Sequence, residues 1–116
     1  MYTKYFYDIK IEKIVDGDTF DCAIDVGFNI WIKQRVRMQG IDAPETRTRD
    51  KIEKAKGIEA KDFLSKSCYD ATKQGSKIQL LSHGTGKYGR LLGELFIDGV
   101  NINQKMVDDG FAETYY

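Results

Sequence analysis

Residues 5–38, YFYDIKIEKIVDGDTFDCAIDVGFNIWIKQRVRM, decide the fold. From Tyr5 to Val15, apolar Phe6, Ile9, Ile11 and Ile14 stand among polar neighbours in the short-period pattern of a half-buried strand. Asp16-Gly17 is hairpin-turn chemistry, because glycine accepts backbone angles that other residues resist. A second strand runs from Thr19 to Val26 and ends at Gly27, and a third runs from Asn29 to Met38. Three strands joined by tight turns form a meander. Arg37 falls near the end of the third, where strand backbone holds a side chain more rigidly than a loop does.

Outward from the meander, Gly40-Ile41-Asp42-Ala43-Pro44-Glu45-Thr46 breaks the alternation. Pro44 lacks a backbone donor and disfavours helix at Ala43, so this segment reads as a loop. Asp50 followed by Glu53 has the form of a capping box, and Ala60, Leu64, Cys68 and Ala71 recur at helical spacing. The pattern predicts a helix from near Glu53 or Ile58 to Lys73, with Gly57 weakening its first turns and Gly75 ending it. Lys77 to Leu81 and Arg90 to Ile97 read as strands, with Ser82 to Gly89 between them as a flexible surface loop. A short final helix is expected with Asn103 as its N-cap and Gly110 just past its end. Three strands, a helix and two more strands is the order of a mainly β, α+β chain. We therefore expect a five-stranded OB-type barrel with one longer helix between strands 3 and 4 and a short C-terminal helix, forming a single domain over residues 1–116.

Composition agrees with one ordinary globular core. Of 116 residues 41% are apolar, one is Pro and two are Cys, which excludes collagen-like, disordered and disulfide-scaffold classes. No apolar run approaches the roughly 20 residues of a membrane span. The start lacks a signal-peptide core, so a cytoplasmic location is expected, or secretion if a signal peptide was removed upstream of Met1. Cys22 and Cys68 show no CxxC spacing and no clustered His, which argues against zinc. Buried free thiols and a single bridge both remain open. Eighteen basic residues balance eighteen acidic ones, but unevenly: residues 33–61 carry nine and five, and residues 94–116 one and five. A positive middle suits either an anionic substrate or a solvated charged helix. The first alternative predicts one basic face, formed by Lys33 to Lys61 with Lys87 and Arg90, and acidic ends lying away from it.

Two acidic turns, Asp16-Gly17-Asp18-Thr19 and Asp42-Ala43-Pro44-Glu45-Thr46, could carry chemistry. Each alone is explained by turn formation. Together they offer Asp18, Asp42 and Glu45, oxygen donors of the kind a hard cation such as Ca²⁺ or Mg²⁺ takes. Arg37 and Arg90 supply the complement, since a guanidinium grips phosphate oxygens in a two-bond geometry that lysine cannot copy. That combination suggests phosphoryl chemistry. His83, the one histidine, sits in a polar loop and is expected to be solvated.

The ordered set Ile14-Val15-Asp16-Gly17-Asp18-Thr19, Arg37, Gly40 to Thr46 and Gly86-Lys87-Tyr88-Gly89-Arg90 resembles the staphylococcal nuclease (thermonuclease-like) family over nearly the whole chain. The resemblance implies an OB-fold, Ca²⁺-dependent phosphodiesterase acting on DNA and RNA; we expect a monomer with no membrane partner. It also implies roles for individual residues: Asp18 and Asp42 as carboxylate ligands of calcium, the carbonyl of Ala43 as a third ligand, and Glu45 as the base that activates or orients water. Arg37 and Arg90 resemble the pair that holds the scissile phosphate, Lys87 and Tyr88 contacts to the neighbouring phosphate, and Tyr116 an aromatic packed on a base. Against the best-known member, Ala43 replaces a threonine, the hairpin from Cys22 to Gln34 is longer, and the chain stops before a C-terminal helix. The other class of function is an OB module that binds nucleic acid or protein without catalysis. Such a module would lack several of Asp18, Arg37, Asp42, Glu45 and Arg90, and all are present.

Overall fold

The computed structural model describes residues 5–86 and 89–115. Its elements are β1 (Tyr5–Asp16), β2 (Thr19–Asp25), β3 (Trp31–Met38), β4 (Ile41–Asp42), α1 (Lys51–Gln74), β5 (Ile78–Thr85), β6 (Leu91–Ile97), β7 (Val100–Asn101), α2 (Ile102–Asp108) and β8 (Glu113–Thr114). The sheet order is β3-β2-β1-β5-β6-β7. Parallel pairing of β3 with β6, through Val36↔Leu91, Arg37↔Leu92 and Met38↔Gly93, joins the two sides. A five-stranded barrel closed in this way, with two helices, is the architecture expected from the strand order.

One long strand makes closure possible. β1 pairs with β5 through Tyr5 to Asp8 and with β2 through Ile9 to Asp16. Register shifts between Ile11 and Lys13 and between Ile14 and Asp16 add local twist to the part paired with β2. Inward positions fill the barrel: Phe20, Val36, Met38, Leu64, Leu80, Leu95 and Met106 are each under 2% exposed.

Helix α1 begins earlier than the sequence suggests. Asp50 is its N-cap, accepting from the N–H groups of Ile52 at 2.9 Å and Glu53 at 3.2 Å, and Gly75 closes it in the left-handed conformation. Its buried stripe is Gly57, Ala60, Leu64, Cys68 and Ala71, so Gly57 lies inside the packed face and does not loosen the helix start. The stripe fits over the β1–β2 turn because Gly17 has no side chain: a Cβ there would lie 2.7 Å from that of Ala60. Cys22 and Cys68 are both buried and free, and burial pushes both thiols up to about 12.

Two further expectations change. Strand β5 extends to Thr85, because Thr85 pairs with Leu91, so Ser82 to Thr85 is strand and not loop. His83 within that strand is exposed, as expected, and contacts Glu94 through Nε2 at 2.8 Å. The N-cap of α2 is Asn101, whose side chain accepts from the Gln104 N–H. Asn103, expected in that place, is 3% exposed and does a different job. Its Oδ1 accepts from the Leu95 N–H at 3.0 Å, and its Nδ2 donates to the carbonyls of Gln39 at 2.8 Å and Gly93 at 3.2 Å. The amide thereby ties α2 and β6 to the β3–β4 turn. Asn103→Leu strands those backbone groups in the interior, and a loss of about 3 kcal/mol in denaturant unfolding is expected; a loss below about 0.5 kcal/mol would contradict this reading.

Candidate functional site

The site is assembled where β1 turns into β2 and β3 runs into β4. Asp18 is 8% exposed. Its Oδ1 accepts from the Thr19 hydroxyl at 3.0 Å and its Oδ2 from the Ala43 N–H at 2.9 Å. One carboxylate therefore joins the two acidic turns of the sequence. The second join is Thr46, whose hydroxyl donates to Asp16 Oδ1 at 2.6 Å.

Arg37 lies between the carboxylates. Its Nη1 donates to the carbonyls of Met38 at 3.0 Å and Ile41 at 2.8 Å, and stands 3.5 Å from Asp18 Oδ2. Its Nη2 reaches Asp42 Oδ1 at 3.4 Å. The Arg37 side chain is 17% exposed and that of Asp42 57%, so the guanidinium runs from a buried carboxylate to an exposed one. The strand-end position is what fixes it: the Met38 N–H donates to the Asp18 carbonyl at 2.7 Å, which locks the two turns side by side.

Glu45 is exposed and lines, with Asp42 and Ala43, a cleft of about 780 Å³ between the Pro44 loop, the first half of α1 and the segment from Gly110 to Glu113. The pairing of β4 with β8 puts Glu113 opposite Asp42, and the Tyr115 N–H donates to the Gly40 carbonyl, so the end of the described chain is strapped to the site loop. Arg90 directly precedes β6, whose Leu91 lies beside Val36 of β3, which brings the second arginine to the strand that carries the first. Lys87, Tyr88 and Tyr116 lie outside the described residues.

The single basic face expected from segment charge does not form on the cleft side. Asp42, Glu45, Asp50, Glu53, Glu59 and Glu113 line the cleft with Lys56 as the basic residue among them. Residues of the positive segment turn their acidic members here, and Glu113 of the acidic end joins them.

Among the described residues no three side chains of the His, Cys, Asp and Glu types converge, so Glu45 does not complete a carboxylate trio with Asp18 and Asp42. The donor chemistry still fits a hard cation. Asp18 and Asp42 offer oxygen only, they flank one guanidinium, and Ca²⁺ or Mg²⁺ fills the rest of its coordination with carbonyls and water. Sequence reasoning assigned no part to Thr46, Gly57 or the Gly110 to Glu113 wall. Thr46 closes the Gly40 to Thr46 motif, and Gly57 is a helix-breaking residue inside an otherwise continuous helical pattern.

A closed five-stranded barrel with carboxylates and an arginine gathered at its strand ends defines an OB-type domain. The family model described as "Staphylococcal nuclease homologue" matches residues 35–116, and the chain belongs to that family. Endonuclease YhcR of Bacillus subtilis is 30% identical over 116 residues, covering 95% of this chain and 9% of its own. An uncharacterized endonuclease of Haemophilus influenzae is 32% identical over 106 residues, 91% of this chain and 51% of its own. The thermonuclease of Staphylococcus hyicus is 27% identical over 107 residues, 92% of this chain and 59% of its own. The chain thus spans from under a tenth to somewhat over half of these relatives.

Proposed function

We propose that this chain hydrolyses phosphodiester bonds of DNA or RNA, as a calcium-dependent nuclease acting endonucleolytically. The observation that carries the reading is the buried Asp18 and exposed Asp42 on either side of the Arg37 guanidinium, with Asp42 also lining the open cleft that holds Glu45. Names of the relatives, endonucleases and a thermonuclease, support it.

Each residue has a part that its position allows. Arg37 has Nη1 engaged by two backbone carbonyls, which leaves Nη2, at the Asp42 side, as the group that meets a phosphate oxygen. Arg90 adds a second guanidinium as negative charge builds on phosphorus, and donors aimed at developing charge accelerate the step that develops it. Glu45, exposed in the cleft, takes a proton from water or orients it for attack. Asp18, Asp42 and the Ala43 carbonyl would hold Ca²⁺, which when bound offsets charge on the scissile phosphate. Lys87 and Tyr88 are assigned to the adjacent phosphate and Tyr116 to a base.

Cation removal tests the reading. Cleavage of an oligonucleotide is expected with Ca²⁺ and is expected to vanish in excess chelator, while the circular dichroism spectrum stays that of the folded chain, because the barrel has its own apolar core. Undiminished cleavage in chelator would remove the cation from the proposal. Binding of strands without cleavage under every cation would favour the non-catalytic module.

A further inference from the structure

Glycine is, after proline, the poorest helix former, yet Gly57 sits in the second turn of the 24-residue helix α1 and is buried. What covers it is the Pro44 loop. A Cβ at position 57 would lie 2.5 Å from the Glu45 carbonyl oxygen, 2.7 Å from the Glu45 carbonyl carbon and 2.8 Å from the Pro44 carbonyl oxygen. These are backbone atoms, which cannot swing aside as a side chain can. Any residue larger than glycine displaces the loop by about half an ångström or more, the amount needed to restore ordinary contact.

The same loop is fixed on both sides of Glu45. Ala43 donates its N–H to Asp18 Oδ2 at 2.9 Å, and the Thr46 hydroxyl donates to Asp16 Oδ1 at 2.6 Å. Glu45 thus has an exposed carboxylate on a backbone pinned before it, after it and from beneath. We propose that Gly57 is a positioning residue for Glu45: the bare helix surface at Gly57 seats the Glu45 carbonyl, and the Asp16–Thr46 hydrogen bond latches the loop onto that seat. The inference rests on the nuclease reading, with Glu45 acting on water. Alignment of that kind is sensitive, because displacement by an ångström is enough to cost a reaction about 10²-fold.

The test is a double-mutant cycle on oligonucleotide cleavage, with kcat and KM measured separately. Gly57→Ala is expected to lower kcat about 10-fold with KM within about 2-fold of the parent, since the substrate contacts of Arg37 are untouched. In a Glu45→Ala background the same substitution is expected to cost nothing further, because two residues acting through one function are not additive. Thr46→Val, which removes the latch without enlarging the helix, is expected to give the same non-additive pattern and carries the test if Gly57→Ala fails to fold. Equal losses in both backgrounds, or no loss in either, overturn the proposal alone. A Glu45→Ala chain with parental kcat overturns the role of Glu45 itself, and the positioning proposal with it.

Discussion

Glu45→Ala is expected to lower kcat by about 10²-fold or more, the range over which a positioned general base contributes. The side chain is exposed, and the contacts that hold its loop are made by the backbone of Ala43 and Glu45 and by Thr46. Its removal should therefore change stability by no more than about 0.5 kcal/mol, as for most surface substitutions. KM should barely move. Initial rates over a range of oligonucleotide concentrations, with a thermal melt of the same preparation, separate the two effects. Turnover near that of the parent chain would take Glu45 out of the chemistry and return the binding-module reading to consideration.

Arg37→Lys is expected to damage both stability and catalysis. Its Nη1 joins the carbonyls of Met38 and Ile41 across the β3–β4 turn while its Nη2 faces Asp42, an arrangement that uses the fork of the guanidinium. Lysine keeps the charge but offers a single nitrogen, which cannot serve the turn and a phosphate together. Leaving the turn carbonyls poorly satisfied should lower stability by about 1–2 kcal/mol, the usual magnitude for buried groups that lose a partner. On the proposed role of Arg37 in holding the scissile phosphate, losing the planar fork should lower kcat/KM by about 10²-fold, with KM raised as well if that contact is already made in the ground state. A variant with unchanged melting temperature and unchanged KM would show that the fork serves neither purpose.

Much of the fold was legible because its signals are local. Alternation from Tyr5 to Met38 and the Asp16-Gly17 turn fix the meander, and Asp50 with Gly75 marks the two ends of α1 in the residues themselves. Errors arose where a residue's role depends on distant chain. Gly57 read as a weak point in a helix, but the reason for it is a loop that precedes the helix and folds back on it. Asn101 and Asn103 are equally good caps by composition, and only the nearby Leu95, Gln39 and Gly93 backbone draws Asn103 inside. Strands β4 and β8 have two residues each, too few for any period to show.

The site divides in the same way. Asp18, Arg37 and Asp42 could be picked out together because each stands at a strand end, and the fold brings them into contact. The electrostatic setting could not be read from segment charge. Helical geometry puts Glu53, Lys56 and Glu59 on one wall of the cleft, and strand pairing adds Glu113 from the far end of the chain. Such an acidic wall restricts where a polyanion can lie, and a count along the sequence contains no such geometry.

Product analysis tests the central claim most directly. Single-stranded DNA, duplex DNA and RNA of defined length, labelled at one end, are incubated with the chain in Ca²⁺ and resolved by size and mass. Internal cleavage into shorter fragments, each new break leaving a phosphate on one of its two ends, is the predicted result. Strands that remain full length while staying bound to the protein would contradict it.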